Sequence, residues 1–402
     1  MEKKLYKYLG IFGGVIVLIM LVLLISFSLS GGKKYKYEDV QDILVNAGKK
    51  YAKDHPAVYP VNVGSSYVIS SSILVNNGYM KEFNSYINND ELVCTGNVEI
   101  FHASLDNFDF VPTFSCGNKY KTVKLADKVI EDNEYGVIEG SGLYERVDGN
   151  FVLKEEDFAN GDNYTTLEFV FRGDEVNNYV KIDDMYFRIV SIDDQNNLLL
   201  IYNGSAKSAY SWDDRYNDEF RKSQGVNIYE QNGIKSRAME NAENFYNGDI
   251  VLYDKVKFSN KIKYVTTPMT LCVEAKSEND TNMTGKIECE KKLDNQNIGY
   301  LAAYQYQSAS LDNECKTTTS KNCGNYNYLS QFNDSWWLLT GNKDLSNECY
   351  SVSRNYISSG ICSAKSTLRP VILLGARTLY KDGDGTFDKP YTIVSYVEDE
   401  NV

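Results

Sequence analysis

Histidine is scarce in this 402-residue chain, which contains only His55 and His102. Two histidines leave little material for histidine-based catalysis or zinc sites, and the sequence has no Cys-x-x-Cys, His-Glu-x-x-His, Gly-x-Ser-x-Gly or P-loop pattern. Six prolines are too few for a proline-rich stalk. The net charge of -13 disfavours nucleic acid as a partner, because phosphate binding requires basic patches. The composition thus predicts no nucleic-acid partner, and the residues single out no catalytic group and no cofactor.

Long apolar runs are also missing, except for one near the N-terminus. Residues 8–32 contain no charged side chain, and residues 9–30 are almost wholly apolar. As a helix this run would measure roughly 33 Å at about 1.5 Å per residue, enough to cross a bilayer core of about 30 Å. It predicts a single transmembrane helix at 9–30 after a cytoplasmic stub at 1–8, with the lipid bilayer as partner. The alternative is a cleaved signal peptide, since Ser28 and Ser30 precede Gly31, although signal-peptide apolar cores are shorter.

Gly10 and Gly14 form a Gly-x-x-x-Gly pair inside the apolar run. Such pairs let two membrane helices approach closely, so dimerisation through this pair is a further prediction. Lysines flank the run on both sides, and the positive-inside rule therefore assigns no orientation. The short N-terminal flank and the cysteine distribution favour a single-pass protein of the cell membrane whose C-terminal part is extracellular.

All cysteines of the chain lie beyond the apolar run, and their number, eight, is even. This pattern, without any Cys-x-x-Cys pair, predicts disulfides in an exported protein rather than metal ligands. Many connectivities are possible, and pairing of sequence neighbours is the simplest of them. The alternative is free buried thiols in a cytosolic protein. The cysteines are Cys94, Cys116, Cys272, Cys289, Cys315, Cys323, Cys349 and Cys362.

Hydrophobic periodicity divides the remainder of the chain into two regions. Apolar residues at helical spacing predict a helix at 37–54, and residues 91–101 and 110–122 predict a strand pair joined by Cys94 and Cys116. Residues 126–163 lack clean periodicity and predict a linker, although 151–155 offer an alternative first strand of the second domain.

From residue 164 onward the pattern is β-rich, with short apolar or alternating runs separated by Gly, Asp and Asn. An amphipathic helix follows, and the chain ends in an acidic tail at 395–402. The runs predict strands at 167–171, 179–182, 185–192 and 198–202 and a helix at 234–247.

Residues 37–122 resemble the pilin-like or secretion pseudopilin-like modules of low-GC Gram-positive bacteria. The resemblance implies a small α+β domain at 37–125. No prepilin processing site precedes the hydrophobic run, which favours a simple anchored domain over filament assembly. The similar residues, after the predicted helix, are Leu74, Gly78, Tyr79, Cys94-Thr95-Gly96, Val98, Cys116 and Tyr120-Lys121-Thr122.

Residues 164–394 resemble an uncharacterised family of surface domains from the same bacteria. Some relatives of this type are similar to the C-type-lectin-like and formylglycine-enzyme-like fold. The resemblance implies a larger β-rich α+β surface domain at 164–394. Its residues are Phe171-Arg172-Gly173, Asn177-Asn178-Tyr179-Val180, Phe187-Arg188-Ile189-Val190, Ile298-Gly299-Tyr300-Leu301, Asn325-Tyr326-Asn327-Tyr328-Leu329, Trp336-Trp337-Leu338-Leu339-Thr340, Leu368-Arg369-Pro370-Val371-Ile372-Leu373 and Gly383-Asp384-Gly385-Thr386.

The predicted fold class is therefore α+β throughout, with an N-terminal transmembrane helix, a small pilin-like domain and a larger β-rich domain for which the resemblance implies a C-type-lectin-like fold. Within the larger domain, Trp336 and Trp337 are a candidate aromatic platform for sugar rings. Adjacent strand residues face opposite sides, so at most one indole would point outward and core packing is the alternative. Arg369 lies just before an apolar run, and we expect it to form an ion pair with a carboxylate that stabilises the fold.

Asp382, Asp384 and Asp388 resemble the start of a calcium loop, with oxygen ligands at its first, third and seventh positions. Ile393 occupies the position at which such a loop needs a bidentate glutamate, which favours a glycine-rich turn over a metal site.

The sequence as a whole predicts a membrane-anchored extracellular binding or adhesion protein of a Gram-positive-type bacterium, with a surface glycan or a protein as ligand. Two alternatives stay open. One is an extracytoplasmic enzyme acting on a cell-wall polymer, and the other is a structural subunit of a pseudopilus or secretion machine.

Overall fold

The computed structural model describes residues 35–87, 92–104, 107–133, 140–152, 166–215, 227–394 and 396. The chain divides into two compact units. The N-terminal unit extends to Thr122 and also includes Tyr396, whereas the C-terminal unit extends from Val123 to residue 395.

A single long helix, α1 (Tyr37–Asp54), organises the N-terminal unit. Acidic residues in its first turn and Lys53 in its last turn complement the helix dipole. Val40, Leu44 and Ala47 recur at helical spacing and are buried, because this stripe packs on a four-stranded antiparallel sheet. The helix bounds agree with the sequence prediction of 37–54.

The sheet of the N-terminal unit has the strand order β1-β2-β3-β4. Cys94 and Cys116 lie directly opposite each other on β2 and β3 and form a disulfide. The elements are β1 (Ser66–Ser70), α2 (Ser71–Asn76), α3 (Asn84–Ile87), β2 (Cys94–Ser104), β3 (Asn107–Cys116) and β4 (Tyr120–Lys121).

The C-terminal unit is built on a ten-stranded sheet with the main path β14-β21-β10-β9-β7-β5-β6 among its described residues. Strand β8 pairs antiparallel with β9 and parallel with β23, which in turn pairs with β22. The strands are β5 (Gly142–Val147), β6 (Asn150–Phe151), β7 (Leu167–Arg172), β8 (Tyr179–Ile182), β9 (Met185–Ile192), β10 (Leu198–Tyr202), β14 (Thr266–Thr267), β21 (Val371–Leu374), β22 (Leu379–Asp382) and β23 (Tyr391–Val394).

Smaller sheets and short helices pack around this sheet. The remaining strands are β11 (Tyr210–Ser211), β12 (Glu230–Gln231), β13 (Ile234–Lys235), β15 (Met269–Cys272), β16 (Lys292–Gln296), β17 (Trp336–Gly341), β18 (Glu348–Ser353), β19 (Tyr356–Ile361) and β20 (Lys365–Ser366). The helices are α4 (Leu125–Asp132), α5 (Arg237–Tyr246), α6 (Asn260–Val265) and α7 (Ala303–Ser308).

The predicted fold class, α+β with an N-terminal transmembrane helix, is wrong. The described residues form a mainly β protein, in which the helices after α1 are short connections between strands. None of the described helices is long and apolar enough to cross a membrane, and α1 itself carries charged side chains along its length. The predicted span at 9–30, with Gly10 and Gly14, lies outside the described residues.

The region predicted as a linker, 126–163, contributes secondary structure to the C-terminal unit. Strand β5 pairs along its whole length with β7, with Leu143 opposite Phe171. The short strand β6 then pairs with β5. Residues 153–163 lie outside the described residues.

The structure contains the four disulfides that sequential pairing predicts. They are Cys94–Cys116, Cys272–Cys289, Cys315–Cys323 and Cys349–Cys362. Stable disulfides are typical of oxidising compartments, so the four bridges fit an extracellular or secreted protein.

Candidate functional site

The two tryptophans predicted as a sugar platform lie in the core of the C-terminal unit. Trp336 is 0% exposed and Trp337 is 2% exposed. Trp336 packs against Tyr306 and Phe332, while Trp337 donates a hydrogen bond from Nε1 to the carbonyl of Tyr210 at 2.7 Å. Both sides of β17 are thus covered by other elements, and neither indole offers a face to a ligand. This corrects the platform hypothesis.

The acidic residues predicted as weak calcium candidates belong to a tight turn. Asp384 Oδ1 accepts hydrogen bonds from the amide and the hydroxyl of Thr386, at 3.2 and 2.7 Å. These hydrogen bonds lower the pKa of Asp384. Lys389 Nζ lies 3.9 Å from Asp382 and 4.0 Å from Asp384, and Asp388 is exposed. Across the described part of the chain no cluster of three metal-ligating side chains occurs.

The same turn presents an aromatic side chain that the sequence analysis did not single out. Phe387 is 57% exposed, which is unusual for a phenylalanine. Its ring is near-parallel to that of Tyr186, with centroids 5.6 Å apart, and lies edge-to-face on Tyr179 at 5.3 Å. We call these three residues, Tyr179, Tyr186 and Phe387, the aromatic face.

Strand pairing explains why the two tyrosines point the same way. Tyr179 and Lys181 are two residues apart on β8, and Lys181 lies opposite Tyr186 on β9. Since side chains alternate along a strand, these three residues share one side of the sheet. Val180 and Phe187 point to the other side and are buried in the core. Two of the three residues of the aromatic face, Tyr179 and Tyr186, therefore lie on regular β-strands.

Arg188 lies opposite Tyr179 on β9, on the same side of the sheet, and contacts its ring. It is 2% exposed, and its guanidinium lies 3.9 Å from the centre of the Tyr179 ring while Nη1 donates to the Tyr179 hydroxyl at 2.9 Å. Asn178 accepts a further hydrogen bond from Nε of Arg188. Burial lowers the pKa of Arg188. This cation–π contact and the two hydrogen bonds fix the orientation of Tyr179.

Charged and hydroxyl groups surround the aromatic rings. Lys181 Nζ lies 5.3 Å from the centre of the Tyr186 ring. Asp382, Asp384 and Lys389 are exposed on the turn that carries Phe387. The exposed ring of Phe387, with these polar groups on the same elements, matches a sugar ring, whose faces are apolar and whose edge carries hydroxyls.

Gly385 attaches the turn to the sheet. Its φ is +77°, and its carbonyl accepts a hydrogen bond from the Tyr179 amide at 2.9 Å. A Cβ at this position would overlap the carbonyl oxygen of Asn177 and lie 2.5 Å from the ring of Tyr391. A side chain here is thus excluded both by backbone conformation and by space.

We expect Gly385→Ala to displace the turn and to separate Phe387 from Tyr186. The matched control is Gly360→Ala, because a Cβ at Gly360 would meet nothing within 4 Å. Hydrogen exchange of the Tyr179 amide measures the effect, since that amide loses its acceptor when the turn moves. Unchanged protection of this amide in Gly385→Ala would contradict the attachment.

A sequence signal for Phe387 does exist. An aromatic residue within a polar run of Gly, Asp, Thr and Lys is placed in a turn, and turns lie at the surface. Its proximity to Tyr179 and Tyr186 could not be derived from the sequence, because it depends on the parallel pairing of β23 with β8 across two hundred residues of chain.

Comparison with known proteins gave no match to any family model, to any curated protein or to any solved structure. The resemblances to pilin-like modules and to C-type-lectin-like domains stay predictions from the sequence.

Proposed function

We propose that this protein is an extracellular binding protein that recognises a glycan through the aromatic face of its C-terminal unit. The observation that carries the proposal is the exposed ring of Phe387 beside Tyr186, on a turn bordered by charged groups. The four disulfides support an extracellular setting for this role.

The geometry favours a sugar over an apolar ligand. An apolar ligand needs a concave pocket that buries most of its surface. The aromatic face instead consists of one exposed ring and two partly exposed rings, with Lys181 on β8 and Lys389 on the turn that carries Phe387. Stacking on such a surface leaves the hydroxyl edge of a sugar free to reach the neighbouring charged groups.

The enzymatic alternative, hydrolysis of a cell-wall polymer, requires two carboxylates on opposite sides of a scissile bond, about 5–9 Å apart. Two acids lie beside Phe387 in the sequence, Asp382 at the end of β22 and Asp384 on the turn. They bond to the backbone of the turn and lie beside Lys389. These contacts assign the two carboxylates to holding the turn, which favours binding over hydrolysis.

A glycan array probed with the purified full-length chain tests the proposal. We expect binding to at least one glycan, and we expect Phe387→Ala to weaken it by about tenfold, which corresponds to about 1.4 kcal/mol. The matched control is Tyr253→Ala, because Tyr253 is 67% exposed but lies outside the aromatic face. The control variant should bind like the parent protein.

The melting temperature separates loss of binding from loss of folding. Phe387 is largely exposed, and its removal should change stability by less than about 0.5 kcal/mol. Glycan binding that is equal in the parent and in Phe387→Ala would disprove the assignment to the aromatic face. Binding to no glycan at all, together with capture of a defined protein, would favour the protein ligand instead.

A further inference from the structure

A lysine, a glutamate and a glutamine lie together in the interior of the C-terminal unit. Lys276 and Glu288 are each 0% exposed, and Gln307 is 3% exposed. Lys276 Nζ lies 3.5 Å from Glu288 Oε1 and 3.3 Å from Gln307 Oε1. Lys276 Nζ also donates to the carbonyl of Asn282, but burying an ion pair still has a large desolvation cost.

Glu288 is incompletely satisfied in this environment. Its Oε1 accepts a hydrogen bond from the Tyr304 amide at 3.1 Å. Its Oε2 is buried and accepts no hydrogen bond from any described residue. Burial raises the pKa of Glu288, and this outweighs the opposite effect of Lys276. A carboxyl group in such surroundings can take up a proton from a neighbouring ammonium group.

The backbone on both sides of the contact is held in place. Lys276 and Glu288 lie within the loop closed by the Cys272–Cys289 disulfide. The Lys276 amide donates to the carbonyl of Gly341 at 3.0 Å, and the Lys276 carbonyl accepts from the hydroxyl of Tyr350 at 2.9 Å.

Gln307 is fixed from the opposite side. It belongs to the short helix α7, and its Nε2 donates to the carbonyl of Thr317 at 3.0 Å. The lysine nitrogen is therefore kept within hydrogen-bond distance of the carboxamide oxygen, whose carbon is the group that the amine would attack, and such proximity raises the effective concentration of reacting groups.

We infer that Lys276 and Gln307 become joined by an amide bond, with Glu288 as the proton carrier. Transfer of one proton from the Lys276 ammonium to Glu288 gives a neutral amine. The Nζ lone pair attacks Cδ of Gln307, and the new Nζ–Cδ bond forms as the Cδ–Nε2 bond breaks.

The reaction is balanced without any other reactant. Ammonia leaves with the former Nε2, carrying one hydrogen from the lysine nitrogen besides its own two. Glu288 keeps the first proton, so that no charged group is left in the interior. No oxidant, reductant or metal is required, and the buried ion pair is replaced by a neutral amide.

Intact mass spectrometry of the purified full-length chain tests the inference. The expected mass is lower than the sequence mass by one ammonia, after the four disulfides have been reduced. Peptide mapping should then recover one branched peptide that contains both Lys276 and Gln307. A full sequence mass would overturn the inference, and so would an ammonia loss that maps to a succinimide at an Asn-Gly pair.

Two variants examine the roles of the individual residues. Lys276→Met and Glu288→Gln should both retain the full sequence mass, because the first lacks the amine and the second lacks the proton carrier. Lys343→Met is the control, since Lys343 is exposed, and it should show the same ammonia loss as the parent protein. A folded Glu288→Gln variant that is cross-linked like the parent would remove Glu288 from the reaction. If either buried variant fails to fold, the mass of the parent protein still decides whether the bond exists.

Discussion

Replacing Trp336 with alanine is expected to lower the free energy of unfolding of the C-terminal unit by about 3–5 kcal/mol. The indole is completely buried and packs edge-to-face against Tyr306 and Phe332, with ring centroids about 6 Å apart. Its removal leaves a cavity that the surrounding sheet can fill only in part. Calorimetry should show a melting temperature lower by an amount on the order of 10 °C.

Tyr253→Ala provides the matched control for this prediction, because it truncates an exposed ring in the same unit. Its melting temperature should stay close to that of the parent protein. A Trp336→Ala variant that melted like the parent but had lost glycan binding would contradict the core assignment and restore the platform hypothesis.

Removal of the Cys94–Cys116 disulfide is expected to lower the free energy of unfolding of the N-terminal unit by about 3 kcal/mol. The bridge closes a loop with a sequence separation of 22 residues and joins β2 to β3 at one end of their pairing. Without it the unfolded chain gains conformational freedom, whereas the folded sheet keeps its hydrogen bonds. Hydrogen exchange of Val98 and Phe114 in the Cys94→Ala, Cys116→Ala double variant measures the loss.

The equivalent double variant of Cys315 and Cys323 is the control. That bridge belongs to the C-terminal unit and spans only 8 residues. Its removal should leave exchange of Val98 and Phe114 unchanged. Equal exchange of these amides in the parent and in the Cys94, Cys116 variant would show that the bridge does not stabilise the N-terminal unit.

Local periodicity was sufficient for much of the secondary structure. Helix α1 begins and ends where its apolar spacing predicts, and Pro56 prevents its continuation because the residue before a proline is disfavoured in the helical conformation. Strands β8, β9 and β10 also agree with their alternating or continuous apolar runs. Each of these signals depends only on residues within one helix or one strand.

Features that depend on distant contacts could not be derived in this way. Trp336 is buried against Tyr306 of helix α7, thirty residues earlier, and against Phe332. Trp337 is buried against Tyr210 of β11, which is more than a hundred residues away. Strand β5 was assigned to a linker because its six residues, GLYERV, mix glycine and charge with apolar residues. Pairing with β7 overrides this weak local preference.

One single-residue prediction was confirmed through a long-range contact. Arg369 forms the expected ion pair, with Nη2 lying 3.7 Å from Asp334, and its guanidinium also lies 3.9 Å from the centre of the Phe332 ring. Burial lowers the pKa of Arg369 to about 10. A buried arginine must find an anion or an aromatic ring, whatever the topology, and this requirement made the pairing predictable.

The four disulfides share a property that bears on how the chain matures. Each cysteine is bonded to its nearest cysteine neighbour in sequence, at separations of 22, 17, 8 and 13 residues. When the polypeptide enters an oxidising compartment from its N-terminus, the first cysteine of each pair meets its native partner before any later cysteine has emerged. Oxidation in the order of emergence therefore yields the native set without reshuffling, which removes the need for a slow isomerisation step during maturation.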